Sequence, residues 1–283
     1  MPATRVTVFA RKGGSGKTAL AALLVRELVR QGYRVLVVDL APQAVSISAA
    51  LGVDTNAPLA FTPADFLALP AAKPFAPWPV IPGKLDLVPG NQLQLAPLEG
   101  SLRRLFTLAR TVVEPGTRAR RATLDARLAA VEARHDFVVL DCPTALGEVT
   151  ANALEAADLV LSPIDMKCRA NVLSVTDLLQ YVRALARAPV VMFVGNKWAP
   201  RQRQCRLALQ DAQRLCGHRL FPVMVPECAA IAESLAEHRE LRATSDLAAR
   251  VAQATWRLGQ AVIEFPGCLD HKRAAMAAVG GVP

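Results

Sequence analysis

Residues 9–18 read Phe-Ala-Arg-Lys-Gly-Gly-Ser-Gly-Lys-Thr, a glycine-rich run that ends in Gly-Lys-Thr. Glycine has no Cβ, so the main chain of such a loop can approach a phosphate closely and surround it with N–H groups. Lys17 can reach the β- and γ-phosphates, and the Thr18 hydroxyl is placed to bind Mg²⁺. The run therefore predicts a site for ATP or GTP with Mg²⁺. The loop residues that we expect to contact phosphate are Gly13, Gly14, Ser15, Gly16, Lys17 and Thr18.

The sequence on each side of this run supports the same prediction. Residues 5–9 are typical of a short buried strand, and residues 19–30 carry apolar side chains at helical spacing. A phosphate loop lies between a strand and a helix N-terminus, because the helix dipole favours the negative charge of the phosphates. The alternative is a glycine-rich turn without a ligand, which both flanks disfavour.

Two further predicted strands end in a carboxylate. Residues 33–39 and 137–141 are mostly apolar runs that end at Asp39 and Asp141. Ligands of α/β proteins bind at the C-terminal edge of the strands, so we expect both side chains near the phosphates. We assign Asp141 to the Mg²⁺ shell, directly or through water, and we count Asp39, Asp141 and Lys17 as catalytic candidates. The alternative for Asp141 is a cap on the following turn.

The rest of the chain alternates between strand-like and helix-like segments. Further strands are predicted at residues 84–89, 159–163, 190–194 and 220–225. Helices are predicted at residues 63–69, 98–110, 119–134, 172–187, 204–216, 229–237 and 245–263. This alternation predicts an α/β fold with a doubly wound, mostly parallel sheet and helices on both faces. We expect residues 1–265 to form a single domain and residues 266–283 to form a frayed tail.

Composition limits the compartment and the kind of site. The six cysteines include no Cys-x-x-Cys pair, which argues against zinc, an iron–sulfur cluster and a secreted disulfide framework. The N-terminus lacks a signal-peptide pattern, and no window of about 18 uninterrupted apolar residues is present for a membrane span. We therefore expect a cytoplasmic protein without a membrane partner.

The formal net charge of the 283 residues is +9, which indicates a polyanionic partner. A basic surface binds phosphate backbones through counterion release and without reading bases, so non-specific double-stranded DNA is the favoured partner. Arginines concentrate in two segments that contain few acids, residues 103–121 and 201–219. The arginines of these segments are Arg103, Arg104, Arg110, Arg118, Arg120 and Arg121, then Arg201, Arg203, Arg206, Arg214 and Arg219. For any single arginine, a solvated helix face is the alternative.

The phosphate loop also contains a second lysine, Lys12, in the pattern Lys-Gly-Gly-x-Gly-Lys-Thr. This pattern resembles the deviant Walker A motif of the ParA/MinD family, and residues 4–262 resemble its small, Soj-like ParA members. Residues 35–43 resemble the switch I segment, and residues 141–147 resemble switch II. The resemblance implies a P-loop NTPase that forms a homodimer when ATP is bound. It also implies that Lys12 crosses the dimer interface to the partner's nucleotide, as a further catalytic and nucleotide-binding residue.

The same resemblance implies site residues outside the loop. Asn196 matches an asparagine that recognises adenine, and Pro226 lies in a segment that covers the base. Ala19 replaces a threonine common in the family, while its backbone N–H stays available to the α-phosphate. Arg201 matches a DNA-contacting arginine. The arginines that are candidates for DNA contact from charge alone are Arg203, Arg206 and Arg219.

Switch I departs from the family pattern at one position. The pattern Asp-x-Asp-Pro-Gln has an aspartate linked to hydrolysis where this chain has Ala41. A methyl group cannot orient water or accept a proton, so we expect slow ATP hydrolysis or none.

Taken together, these features favour an ATP-dependent, dimerising, DNA-binding ParA-like ATPase that segregates or positions a DNA or protein cargo on the nucleoid. Its release from DNA would be stimulated by a ParB-like or other adaptor protein. One competing function is that of a MinD-like membrane-associated regulator of division, although residues 265–283 lack a basic amphipathic helix. Two more competing functions are an ATP-locked scaffold that never hydrolyses and a nitrogenase-type iron protein.

Overall fold

The computed structural model describes residues 2–41, 46–54, 77–90, 122–185, 187–238 and 245–265. Several predicted features lie outside these residues: the helices at 63–69 and 98–110, the arginines at 103–121, residues 42 and 43 of switch I, and the tail at 266–283.

The described residues form a seven-stranded sheet with the strand order β3-β4-β2-β5-β1-β6-β7. The strands are β1 (Thr4–Val8), β2 (Val35–Asp39), β3 (Trp78–Ile81), β4 (Leu85–Val88), β5 (Phe137–Asp141), β6 (Leu159–Asp165) and β7 (Val190–Asn196). Only the pairing of β3 with β4 is antiparallel among these strands; every other pair is parallel. The predicted doubly wound, mostly parallel α/β fold is therefore confirmed.

Apolar residues on both faces of the central strands explain their burial. In β2, Leu36 and Val38 face one hydrophobic core, whereas Val35 and Val37 face the other. Strands that alternate between two cores read as continuous apolar runs, which is why the sequence shows no polar face here.

Helices cover the sheet on each side. The helices of the described residues are α1 (Lys17–Arg30), α2 (Ile47–Ala50), α3 (Ala122–Val131), α4 (Glu148–Ala156), α5 (Arg169–Leu173), α6 (Val175–Arg183), α7 (Arg203–Cys216), α8 (Ala229–Ala236) and α9 (Asp246–Ile263). One core receives side chains from α1, α2, α8 and α9, and the other from α3 to α7. None of the helices within the described ranges is both long and apolar enough to cross a bilayer.

The strand predicted at residues 220–225 was wrong. This segment runs beside β7 but makes only isolated bridges, from Leu220 to Phe193 and from Pro226 to Trp198. Phe221 and Val225 still donate backbone hydrogen bonds to β7, at 2.7 and 2.8 Å. Pro222 lies between them and has no N–H to donate, so the pairing cannot continue as a regular ladder.

The helix predicted at residues 172–187 is instead two shorter helices, α5 and α6. They are separated at Ser174, whose hydroxyl donates to the backbone carbonyl of Asn171 at 2.7 Å. A hydroxyl that bonds its own preceding turn competes with the regular helix ladder. The strand β3 and the helices α2 and α4 were not predicted from the sequence, whereas residues 137–141 form β5 with the predicted bounds.

Leu36 and Leu173 offer a test of this packing. Leu36 is 0% exposed in the centre of the sheet, whereas Leu173 on α5 is 57% exposed. We expect Leu36→Ala to lower the free energy of unfolding by about 2–5 kcal/mol, because it removes buried methyl groups and leaves a cavity. Leu173→Ala should change it by less than about 0.5 kcal/mol. Urea denaturation of both variants measures the difference, and equal effects would contradict the described core.

Candidate nucleotide-binding site

The glycine-rich loop connects β1 directly to α1 at the C-terminal edge of the sheet. Gly14 and Gly16 have φ values of 73° and 89°, in the left-handed region that favours glycine. Gly16 is the N-cap of α1, and no side chain caps the helix. The orphan N–H groups of the first turn therefore have no side-chain partner at this cap, and such a helix end is suited to bind an anion.

Lys17 is the first residue of α1 and is only 8% exposed. Burial lowers the pKa of its ammonium group, while the nearby Asp141 carboxylate raises it in partial compensation. Among the residues that the structure describes, the Lys17 ammonium makes no hydrogen bond or ion pair. A buried cation in this position gains stability from any anion that enters the loop.

Asp39 and Asp141 lie side by side, because β2 and β5 are neighbours and the two residues are paired in register. Thr18 donates its hydroxyl hydrogen bond to Asp141 Oδ2 at 2.8 Å. Asp141 Oδ1 is buried and has no hydrogen-bond partner within the described part of the chain. The structure thus brings together Lys17, Thr18 and Asp141 as the sequence predicted.

This crowding changes the protonation of Asp141. Burial, and then the neighbouring Asp39, raise the pKa of Asp141 to about 8, although Thr18 and Lys17 act in the opposite direction. Burial also raises the pKa of the adjacent Cys142 thiol well above its usual range. A divalent cation beside Asp141 would replace the proton, because its charge stabilises the carboxylate.

Asp39, the other predicted catalytic carboxyl group, has more hydrogen-bond donors than Asp141. Its carboxylate accepts hydrogen bonds from Ala41 N at 3.1 Å, Ser48 N at 3.2 Å and Ser48 Oγ at 2.6 Å. Gly90 N in turn donates to Ser48 Oγ at 2.9 Å, and a Cβ at Gly90 would lie 2.7 Å from Asp39 Cγ. Burial raises the pKa of Asp39 above its ordinary value, and the hydrogen bonds from Ser48 and Ala41 offset only part of that rise. Asp39 therefore ties the start of switch I to α2 and to the end of β4.

Sequence reasoning missed Ser48 and Gly90 in this network. Ser48 lies 9 residues after Asp39, and Gly90 lies 42 residues after Ser48, so no spacing rule connects them to a strand end. Only the close approach of α2 and the end of β4 makes them partners of Asp39.

Lys12 and Arg11 lie on the exposed part of the loop. Arg11 makes an ion pair with Asp177 of α6, with 2.9 Å between Nη1 and Oδ2. Lys12 makes no ion pair or hydrogen bond with any residue in the described ranges. Its charge is therefore available to a ligand outside the chain.

A cavity of about 770 Å³ opens next to the loop. Gly16 and Ala19 line it at the loop, Asn196 lies at the end of β7, and Pro226 and Cys228 precede α8. The structure thus places the predicted base-contacting residues Asn196 and Pro226 beside the predicted phosphate-contacting residues. Most of the remaining lining consists of alanine and other apolar side chains, which suit a flat aromatic base.

The predicted DNA-contacting arginines do not form one cluster. Arg201, Arg203 and Arg206 are exposed around the N-terminus of α7, and Arg206 Nη1 donates to the carbonyls of Pro200 and Arg201 at 3.0 and 3.1 Å. Arg219 follows the other end of α7, roughly 20 Å along a helix of this length. Asp211 pairs with Arg214 and with Arg169, which neutralises part of the helix surface.

Comparison with known proteins places this site in a family. A family model described as an AAA domain matches residues 3–190. The Bacillus subtilis sporulation initiation inhibitor Soj is 32% identical over 165 residues, which are 56% of this chain and 57% of Soj. The chain belongs to the ParA/MinD family of P-loop ATPases.

A second relative is the probable plasmid-partitioning protein ParA of Thermus thermophilus, 36% identical over 163 residues, or 56% of this chain and 44% of that protein. The matched part of this ParA/MinD chain spans about half the length of these two curated relatives.

Solved structures show the same fold. One is cobyrinic acid a,c-diamide synthase from Mycobacterium smegmatis with an ATP analogue and magnesium bound. It has a TM-score of 0.71 at 23% identity, and the match covers 92% of this chain and 94% of the synthase chain. An aspartate-to-alanine variant of Cyanothece McdA in complex with ATP has a TM-score of 0.70 at 19% identity, covering 91% and 96%. Both of these structures hold ATP or an ATP analogue, and the synthase structure also holds magnesium.

The raised pKa of Asp141 predicts a pH dependence of stability without nucleotide or Mg²⁺. In the folded state Asp141 keeps its proton up to about pH 8. In the unfolded chain an aspartate loses its proton at about pH 3.9. Between these values the folded state binds more protons, so the free energy of unfolding falls as pH rises. Asp141→Asn removes this titration. We expect the melting temperature of this variant, relative to the wild type, to increase from about pH 5 to about pH 8.

Thermal unfolding in a metal-free buffer at several pH values measures this trend. Asp246→Asn, which changes an exposed carboxyl at the start of α9, is the matched control. A difference between Asp141→Asn and the wild type that stays constant with pH would contradict the proposed protonation of Asp141.

Proposed function

We propose that this chain binds ATP with Mg²⁺, forms a homodimer in the ATP-bound state and binds double-stranded DNA without sequence preference. In this role it segregates or positions a DNA or protein cargo on the nucleoid, in the cytoplasm, and a ParB-like or other adaptor protein stimulates its release. One observation carries the proposal. Lys17 and Thr18 at the start of α1 lie beside Asp141 at the end of β5, and the glycine-rich loop next to them carries a second, exposed lysine, Lys12.

The residues of this arrangement fit a nucleotide with Mg²⁺. Asp141 Oδ1 is a buried oxygen without a partner in the described residues, and the Thr18 hydroxyl lies beside the same carboxylate. Carboxylate and hydroxyl oxygens are the ligands that Mg²⁺ prefers, and Mg²⁺ would supply charge neutralisation of the β- and γ-phosphates. Lys17 would hold the same phosphates, and the cavity beside Ala19, Asn196 and Pro226 would receive the base.

The exposed lysine supports dimerisation through this face. Lys12 lies on the solvent side of the loop, and its neighbour Arg11 is already engaged by Asp177. A cation that has no partner within the described chain can pair with a phosphate held by a second copy. The interface would then bury two nucleotides between two loops.

The basic surface near α7 supports DNA binding. Arg201, Arg203 and Arg206 are exposed at one helix end, and neither of the acceptors described for Arg206 is a carboxylate. Arg214 is less suitable, because Asp211 already pairs with it. The Thermus thermophilus relative is named as a probable plasmid-partitioning protein, which supports a role in moving DNA.

DNA mobility shifts with ATP, ADP or no nucleotide test the proposal. We expect ATP to tighten binding to unrelated duplexes by roughly tenfold over ADP, because only ATP would bring two basic surfaces together. The affinity should fall steeply between about 50 mM and about 200 mM salt, since phosphate contacts release counterions. Lys12→Ala should lose the ATP dependence, whereas Lys84→Ala, at an exposed turn before β4, should keep it. Binding that ignores nucleotide would refute the ATP-driven part of the proposal.

Ala41 favours a second candidate, a scaffold that stays locked with ATP. Ala41 is 3% exposed and its N–H donates to Asp39, so this position is buried beside Asp39 but carries no acid or base. The Cyanothece McdA variant shows that a protein of this fold can hold ATP after an aspartate is exchanged for alanine.

An assay of phosphate release distinguishes the two candidates. Slow release by the wild type indicates a slow ATPase, and no release indicates the locked scaffold. We expect the wild type to hydrolyse ATP slowly or not at all, and Ala41→Asp to hydrolyse it about a hundredfold faster, because a carboxylate can orient the attacking water. Ala41→Asn is the matched control, since it adds a side chain of the same size without a base. Rapid hydrolysis by the wild type would show that another residue replaces the missing acid.

A further inference from the structure

The end of β7 makes a direct contact with the phosphate loop. Asn196 Nδ2 donates a hydrogen bond to the backbone carbonyl of Ser15 at 2.8 Å, across 181 residues of sequence. Asn196 Oδ1 accepts from Lys197 N at 2.9 Å, and the Asn196 carbonyl accepts from Met166 N at 3.0 Å. Asn196 is 7% exposed, so these bonds are shielded from water.

The two partners determine which way the Asn196 amide faces. The Ser15 carbonyl can only accept a hydrogen bond, and the Lys197 N–H can only donate one. The nitrogen of the amide must therefore face the loop, and the oxygen must face Lys197.

The contact is close enough to require glycine in the loop. A Cβ at Gly16 would lie 2.1 Å from Asn196 Nδ2, and Gly16 has a φ of 89°. The Asn196 amide thus packs against the peptide that joins Ser15 to Gly16. A side chain at position 16 would push the amide away from the carbonyl that it binds.

Lys197 holds the Asn196 side chain at its oxygen, and Asp165 in turn holds Lys197. Lys197 has a φ of 55°, a conformation that residues other than glycine rarely adopt. Asn196 Oδ1 holds its N–H, and Asp165 Oδ2 holds its ammonium group at 2.9 Å. Asn196 is therefore anchored on two neighbouring strands, β6 and β7.

We propose that Asn196 is a positioning residue for the triphosphate, and that it acts through the loop backbone. In a trans peptide the C=O and the following N–H point in opposite directions. When Asn196 holds the Ser15 carbonyl, the Gly16 N–H points away from Asn196 and stays in one orientation. On the proposed function, which this inference requires, that N–H is one of the donors that surround the phosphates.

This role differs from the recognition of adenine that the resemblance implied. The Asn196 amide makes its bonds to Ser15 and Lys197 within the chain itself, before any base is bound. A loss of Asn196 should therefore weaken every ligand that carries the triphosphate, with or without a base. Pro226 lines the same cavity but has no described hydrogen bond to the loop, so it is the matched base-side control.

Titration calorimetry with Mg²⁺ and inorganic tripolyphosphate, ATP or GTP tests the proposal. We expect Asn196→Ala to weaken tripolyphosphate and ATP by the same factor, about fivefold, and to leave the ratio of ATP to GTP affinity unchanged. Pro226→Ala should weaken ATP and leave tripolyphosphate binding as in the wild type. Asn196→Asp keeps the acceptor for Lys197 N–H but cannot donate to Ser15, so it should bind at least as weakly as Asn196→Ala.

Three outcomes would overturn the inference. If Asn196→Ala weakens ATP binding and leaves tripolyphosphate binding unchanged, Asn196 contacts the adenine base instead. Wild-type affinity in Asn196→Asp would show that donation to Ser15 is not required. If the wild type binds neither ATP nor tripolyphosphate, the proposed function itself fails. Circular dichroism of each ligand-free variant confirms that it is folded, and Asn196→Asp, which has nearly the same shape, carries the test if Asn196→Ala does not fold.

Discussion

Two carboxyl groups lie buried side by side at the C-terminal edge of the sheet, and the rest of the site is arranged around them. The parallel register of β2 and β5 places Asp39 opposite Asp141, so burial and mutual repulsion both disfavour two negative charges. The chain compensates Asp39 with N–H and O–H donors from Ala41 and Ser48. Asp141 receives only Thr18 and the proximity of Lys17, which leaves one oxygen without a partner in the described residues. This imbalance supports the proposed roles of Asp39 as a structural tie and of Asp141 as a Mg²⁺ ligand.

The same edge also determines the shape of the loop. A glycine-rich loop can adopt many conformations, and its ability to bind phosphate depends on the conformations being restricted. Here the restriction comes from outside the loop. Arg11 is paired with α6, the Ser15 carbonyl is held by Asn196, and Lys17 begins α1. The loop is therefore supported by elements that surround it on the sheet edge, and Asn196 connects it to β7 and, through Lys197 and Asp165, to β6.

The residues proposed to bind the triphosphate are separate from the position proposed to affect its hydrolysis. The groups that would hold a triphosphate lie on the loop and on β5, whereas the position at which the family has a hydrolytic aspartate lies after β2. Ala41 leaves the first set intact, because the described hydrogen bond between Thr18 and Asp141 does not involve it. The slow hydrolysis proposed for this chain would therefore still allow nucleotide binding.

The sequence by itself determined the fold class, the phosphate loop and the two strand-end carboxylates, because these features depend on local patterns: glycine spacing, apolar runs and the residue that follows them. It did not determine the edge strand β3, the interrupted segment beside β7, or the break at Ser174, because each depends on neighbours that compete with local propensity. Only the tertiary structure decided that Ser48 and Gly90 hold Asp39, and that Asn196 holds Ser15. Those contacts join residues between 9 and 181 positions apart, and no periodicity relates such residues until parallel strands bring their ends to one edge.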